Sequence, residues 1–265
     1  MSVMETVNYY YYDLADPRIR DWFLLNSIWY PIIIILAYIV IAFKLAPAYM
    51  KNRPAYKLNT FIKCYNLFQV ILNAYIVKEL VPCYSFLRFF ECRPIEYTID
   101  ACGLTIMKCG YLTIALKIID LIETVIYILR KKNNQVSILH VYHHITTCLI
   151  AIIFTRYFCG EVAILVPIMN CGVHVIMYSY YFLSNFEGPI KQIIMPFKRY
   201  LTIAQMIQFS IMIVQIIAGL LQNCELSKVL LFIMLINVAF IFYLFFRFYK
   251  KTYIIKSKKE KCFKK

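Results

Sequence analysis

The sequence predicts an all-α membrane protein with seven transmembrane helices, and three observations carry that expectation. The 265-residue chain is 62% hydrophobic and only 16% charged, far too apolar for a soluble globule of its size. Apolar runs long enough to cross a bilayer recur from one end to the other. The connections between them are short, and basic clusters fall in alternate ones, which is the pattern left by positive-inside insertion.

The elements follow in order. The first strongly apolar run begins near Ile28, after Asp13, Asp16 and Asp21, and gives a span over 27–46. It starts late and has no basic lead-in, so no cleaved signal peptide is expected. The basic stretch Lys44 to Lys57 leads to a second span over 58–81. The longest loop, with Glu79, Glu91, Glu96 and Asp100, precedes a third over 104–129. "RKKNNQ" (130–135) separates this from a fourth over 136–157, and a short turn leads to a fifth over 161–184. Lys191 to Arg199 precede a sixth over 200–222, and the seventh, 226–249, runs into the tail "KKTYIIKSKKEKCFKK". With basic loops inside, residues 1–26 form a lumenal segment, 27–249 one membrane domain, and 250–265 a basic cytosolic tail.

The net charge of +15 sits in those loops and in the tail, so nucleic acid is not an expected partner. Anionic head groups or a phosphate-bearing substrate are. Ten cysteines without a CxxC spacing indicate neither a metal framework nor a disulfide-dense one.

Only four histidines are present, and three of them lie in "LHVYHHITT" as His140, His143 and His144. At ~1.5 Å per residue they sit roughly 10–15 Å below the cytosolic boundary of the fourth span. The fourth, His174, lies in "HVIMYSYY" at similar depth, with Tyr178 and Tyr181 at helical spacing. "KIIDLIET" places Lys117, Asp120, Glu123 and Thr124 near one face of the third span, and "TIAQMIQ" places Thr202, Gln205 and Gln208 on a face of the sixth. Ionisable groups inside a span cost a few kcal/mol each, so they face a cavity or one another. Helix glue is the plain alternative for every stripe. Four stripes at one depth describe the wall of a buried polar chamber.

Three chemistries compete for the histidines. His140 and His144 with His174 have zinc-like spacing. The HxxHH pattern also occurs around di-iron centres, but two irons need roughly six to eight protein ligands, more than this chain supplies. No metal is therefore expected. Imidazole can instead act as nucleophile on a thioester or as general base, held by a carboxylate. Cys148 and Cys171, each one turn from a histidine, are rival nucleophiles.

"KIIDLIET", "LRKKNNQ", "HVYHH", "HVIMYSYY" and "TIAQMIQ", in this order and on these spans, resemble the very-long-chain fatty acid elongases, most of all the animal and insect members. The likeness runs from "DPRIRDW" (16–22) to the last span. One departure stands out. The family pattern KxxExxDT appears with its two acids exchanged, as Asp120 and Glu123.

The resemblance implies seven helices, six of them enclosing a narrow acyl tunnel, in a multi-pass protein of the endoplasmic reticulum membrane. It implies a 3-oxoacyl-CoA synthase that joins a long-chain acyl-CoA to malonyl-CoA and releases carbon dioxide and CoA. No cofactor is retained, since both CoA thioesters are substrates. In this picture His143 is the nucleophile, and His140, His144 and His174 position groups or move protons. Asp120 and Glu123 orient imidazoles, and Lys117, Tyr178 and Tyr181 line the substrate site with Gln208. Asn170 and Gln205 donate to an enolate oxygen. Lys131, Lys132, Lys191, Lys198 and Arg199 meet the CoA phosphates. Membrane lipid and other enzymes of the elongation cycle are the implied partners, and a homodimer is left open. Cysteines of similar elongases imply a lumenal disulfide between Cys92 and Cys224, although Cys83, Cys102 and Cys159 lie near the same face. The alternative function is a transporter or proton relay built on the His/Asp/Glu layer, against which the spans show no inverted repeat and no paired glycine or proline breaks.

Overall fold

A computed structural model describes residues 2–91, 97, 99–160, 164–222 and 228–255. Among the described residues the regular structure is all helix, without a strand. Helices occupy each of the seven expected stretches. They are α1 (Trp29–Met50), α2 (Asn59–Leu80), α3 (Ala101–Asp120) continued as α4 (Ile122–Leu129), α5 (Ile138–Tyr157), α6 (Leu165–Ser184), α7 (Lys198–Leu221) and α8 (Lys228–Tyr249). Among the described residues five helical spans, Trp29–Met50, Asn59–Cys83, Ile138–Tyr157, Pro189–Leu221 and Lys228–Ile255, are long and apolar enough to cross a membrane. The stretches outside that set, α3–α4 and α6, carry Lys117, Asp120, Glu123 and His174.

The chain divides into two compact units. The first comprises Met1–Leu58, Lys78–Tyr84 and Ile95–Pro167. In it α1 turns Tyr38, Ala42, Ala46 and Met50, spaced by four, onto Leu121 and Ile128. Ala42 and Ala46 keep that stripe narrow, which lets helix backbones approach closely. Helices α3 and α5 also meet closely. A Cβ built on Gly110 would stand 3.1 Å from Thr155 Cγ2, so a hydrogen is what fits.

The amino-terminal segment is anchored by one side chain. Arg156, 1% exposed near the end of α5, donates from Nε to Tyr11 O at 3.0 Å and from its terminal nitrogens to the carbonyls of Tyr11, Leu25 and Arg20. Its guanidinium also lies 3.8 Å from the centroid of the Tyr11 ring. Beside it, the buried Asp16 is paired with Arg18 at 2.6 Å. A guanidinium this deep needs its donors met, and carbonyls freed at turns meet them. Burial pushes the Tyr11 hydroxyl up to about 12, partly offset by Arg156. At the same end a disulfide joins Cys83, just beyond α2, to Cys102 in the first turn of α3. Cys92 and Cys224 both lie outside the described residues.

The turn after α4 is unusual. Lys131 N–H donates to Ile128 O at 2.9 Å and Lys132 N–H to Tyr127 O at 2.8 Å, the paired bonds of a Schellman motif. The left-handed position of that motif is normally glycine, yet here it is Lys131, at φ 52°.

The second unit comprises Asn59–Val77, Ser85–Pro94 and Ile168–Lys265. Helices α7 and α8 pair along their length, with Phe209 and Phe245 rings 5.2 Å apart. Arg199 Nε donates to Tyr249 OH at 2.7 Å at one end of the pair. Large apolar side chains are exposed in each unit, such as Ile33 and Leu36 in the first and Phe232 and Ile236 in the second, as lipid-facing surface requires.

Candidate active site

The first group of site residues is assembled by the junction of α3 and α4 with the start of α5. At Leu121 the helix tightens to an i→i+3 bond, Leu121 N–H to Ile118 O at 3.2 Å, between the two acids of "KIIDLIET". Ser137 caps α5 by accepting from His140 N–H, which places all three clustered histidines in its first two turns.

The contacts are short and local. Lys117 Nζ lies 3.3 Å from Asp120 Oδ2, both side chains almost wholly buried. Thr124 Oγ1 stands 2.9 Å from His140 Nε2 and 2.9 Å from Tyr38 OH, linking α1, α4 and α5. Glu123 Oε2 is 3.6 Å from His144 Nε2. The rings of His140 and His144 are 4.2 Å apart, and that of His143 is 5.6 Å from His144. A carboxylate and a threonine on one helix therefore orient two imidazoles one turn apart on another. The carboxylate beside His144 Nε2 favours a proton on that nitrogen, while the Thr124 hydroxyl can either donate to His140 or accept from it. His143 lies one residue from His144, about 100° round the helix.

Glu123, His140 and His144 each offer a ligand atom, all within 4.8 Å of one another. Two imidazoles and a carboxylate suit zinc. The same atoms are already engaged by protein groups, since Thr124 meets His140 and Glu123 meets His144. Thr124 and His140 are within hydrogen-bond distance, whereas Glu123 and His144 at 3.6 Å make a longer contact that is ionic only when the imidazole is protonated.

Lys131 and Lys132 of the first unit apart, the remaining site residues fall in the second unit. His174, 5% exposed, lies 5.5 Å ring to ring from Tyr178, which lies 6.2 Å from Tyr181. Gln205 Nε2 donates to Met177 Sδ at 3.5 Å, and Gln208 Nε2 to Met212 Sδ at 3.8 Å. Thioether sulfur is a weak acceptor, so either amide gives up that bond readily to a better oxygen. Thr202 donates instead to Lys198 O at 3.4 Å and is tied to its own helix. Asn170 is half-buried on α6, while Lys131, Lys132, Lys191, Lys198 and Arg199 are exposed.

Two contributions escape the stripes singled out in the sequence. Tyr38 comes from a strongly apolar span and places its hydroxyl on Thr124. On α2, Tyr65, Gln69 and Asn73 form a ladder, Gln69 Nε2 donating to Tyr65 OH at 3.0 Å and Asn73 Nδ2 to Gln69 Oε1 at 3.1 Å. Tyr65 in turn meets Tyr178 edge-on at 6.1 Å. Asn66 Nδ2 and Asn73 Oδ1 are buried and meet no protein partner. Such atoms cost roughly 1–3 kcal/mol unless water or a ligand reaches them. The i, i+4, i+8 spacing in "YNLFQVILN" was the available signal.

Residues 23–261 match the GNS1/SUR4 (ELO) family. The chain belongs to the ELO family. Very long chain fatty acid elongase 4 of Mus musculus is 35% identical over 252 residues, spanning 94% of this chain and 80% of its own length. The protein of that name from Homo sapiens is 34% identical over 255 residues, 95% of this chain and 81% of its own. Very long chain fatty acid elongase F of Drosophila melanogaster is 31% identical over 240 residues, 85% of this chain and 89% of its own. The ELO match takes in all five candidate spans, so this is a multi-pass membrane protein. It also takes in every histidine and both acids of the site, including the exchanged Asp120 and Glu123.

Proposed function

We propose that this ELO protein is the condensing enzyme of fatty acid elongation, a 3-oxoacyl-CoA synthase acting on a long-chain acyl-CoA and malonyl-CoA. The observation that carries the proposal is the oriented imidazole pair, His140 on Thr124 and His144 on Glu123, with His143 beside them. The elongase names of its relatives supply the reaction class.

The chemistry is a two-stage exchange. A His143 nitrogen attacks the acyl thioester carbonyl, the C–S bond breaks, and CoA leaves as a thiolate that takes up a proton. Malonyl-CoA then loses carbon dioxide, and the electrons of the broken C–C bond form an enolate. Its α-carbon attacks the acyl-imidazole, expels the imidazole, and gives a 3-oxoacyl-CoA two carbons longer. His140 and His144, already held through Nε2, suit positioning and proton transfer better than attack. Gln205 and Asn170 donate to the developing enolate oxygen, a role supported by the weak sulfur contact Gln205 now makes. His174 is assigned from its depth in the sequence. Lys191, Lys198 and Arg199 are the basic groups for CoA phosphate.

The seven helical stretches form seven spans in this proposal, six around an acyl tunnel, in the endoplasmic reticulum membrane with the tail cytosolic. Support for the opposite end being lumenal comes from the Cys83–Cys102 bridge, because disulfides persist in oxidising compartments. The test is release of labelled carbon dioxide from malonyl-CoA by purified protein. Release should need a long acyl-CoA and yield a product two carbons longer. Acyl-CoA-independent release, or transport of either thioester without condensation, would contradict the assignment.

A further inference from the structure

A pocket of about 440 Å³ opens where α1 ends, between its last turns and the connection from α4 to α5. Phe43, Pro47, Met50, Ile128 and Val136 form an apolar wall, while Lys51, Lys131 and Asn133 supply the polar rim. Among the described residues no carboxylate lines it. None of Lys117, Asp120, Glu123 or the histidines takes part, and Lys131, which the family resemblance gives to a CoA phosphate, is the candidate-site residue that lines it.

Three features show a built site. Tyr56 N–H donates to Leu129 O at 3.0 Å, which ties the loop after Lys51 to the end of α4. Lys131 occupies the left-handed position of the Schellman turn, at φ 52°, where glycine is the unstrained choice. A strained lysine at the rim suggests that its ammonium is needed there. Finally, Phe43, Pro47 and Met50 of the wall belong to a candidate membrane span ending at Met50, and Lys51 is the first residue beyond it. That is the depth at which a lipid phosphate sits, with acyl chains alongside exposed apolar groups such as Phe43.

We propose that this pocket is a binding site for an anionic phospholipid, with Lys51 and Lys131 on the phosphate and one acyl chain along Phe43, Pro47 and Val136. A free phosphate would leave the apolar wall uncovered, and a zwitterionic head group would set its own cation against two lysines. The surrounding cations Lys44, Arg53, Lys57, Arg130 and Lys132 favour the same charge.

Full-length protein in neutral detergent, titrated with dioctanoyl phosphatidic acid and with dioctanoyl phosphatidylcholine, tests the site. Saturable binding of the first and at least tenfold weaker binding of the second are expected. The paired change Lys51→Gln with Lys131→Gln should weaken phosphatidic acid binding about tenfold, roughly 1.4 kcal/mol. Lys131→Gly guards against a folding artefact, because it relieves the turn. It should raise the melting temperature while still lowering affinity severalfold. Equal binding of both lipids, unchanged affinity in the variants, or displacement of the lipid by CoA would overturn the proposal. The last outcome would assign the pocket to a substrate thioester instead.

Discussion

At the scale of single residues, His143 and Glu123 separate chemistry from packing. His143→Ala should abolish condensation, with activity falling by three orders of magnitude or more while the protein stays folded in detergent. Metal analysis of active wild type should find neither zinc nor iron in stoichiometric amount, and chelators should leave turnover intact. Bound metal lost together with activity would turn Glu123, His140 and His144 into ligands. Glu123→Gln keeps the shape of the contact to His144 but removes its charge, so turnover should fall at least tenfold with little change in melting temperature. Restoring the family order with Asp120→Glu and Glu123→Asp should be tolerated, and wild-type turnover in Glu123→Gln would reduce the stripe to helix glue. Tyr11 gives a pH dependence. Its hydroxyl ionises near 10.0 when free and at about 12 in the fold, so the neutral form is the one the folded state favours. The associated stability, at most about 2–3 kcal/mol, is complete below pH 10 and is lost as pH rises toward 12. Melting measured across that range should show a smaller drop in Tyr11→Phe, and an equal drop in both proteins would contradict it. Much of the site was legible at this scale, because charged and imidazole groups inside apolar runs stand out. Tyr38 was not, because a tyrosine among 23 carries no signal until its hydroxyl is seen on Thr124.

At the scale of elements, close packing makes specific demands. Gly110→Ala adds a methyl against the buried, β-branched Thr155, whose χ1 is stiff, so overpacking of ~1–3 kcal/mol should outweigh the gain in helix propensity. A lower melting temperature in Gly110→Ala, restored in part by Thr155→Ala, is the expected outcome. A more stable single variant would show that α3 and α5 can separate without cost. Arg156→Met removes charged hydrogen bonds to three carbonyls and should release the amino-terminal segment at a cost of about 2–4 kcal/mol. Faster proteolysis before Trp29 would report that release. Helix positions were legible from apolar run length, since each expected span contains a helix. Pairings between helices were not. Apolar periodicity says which face is buried but not against what, and so neither the α1 stripe on α4 nor the Cys83–Cys102 bridge follows from spacing. That bridge closes a loop with a sequence separation of 19, and its reduction should cost about 3 kcal/mol in the chain-entropy model.

For the molecule as a whole, the proposed topology has an odd number of spans and termini on opposite sides. Protease applied to intact microsomes should remove a tag fused after Lys265, and a protected tag would overturn the proposed topology. Buried Lys117, Asp120 and Glu123 on α3–α4 and buried His174 on α6 mark these helices as site-bearing and lower their hydropathy, so they fall outside the five candidate spans. The division of polar residues between two compact units was also beyond the sequence, because depth along a span is readable from position and contact across helices is not. The central claim is that a histidine of "HVYHH" carries the acyl group between two substrates. Intact-protein mass measurement after incubation with a long acyl-CoA alone tests it most directly. One equivalent of CoA should be released, with a mass gain of one acyl group mapping to α5, its loss on adding malonyl-CoA, and no gain in His143→Ala. CoA released only when malonyl-CoA is also present, with the protein mass unchanged throughout, would contradict it.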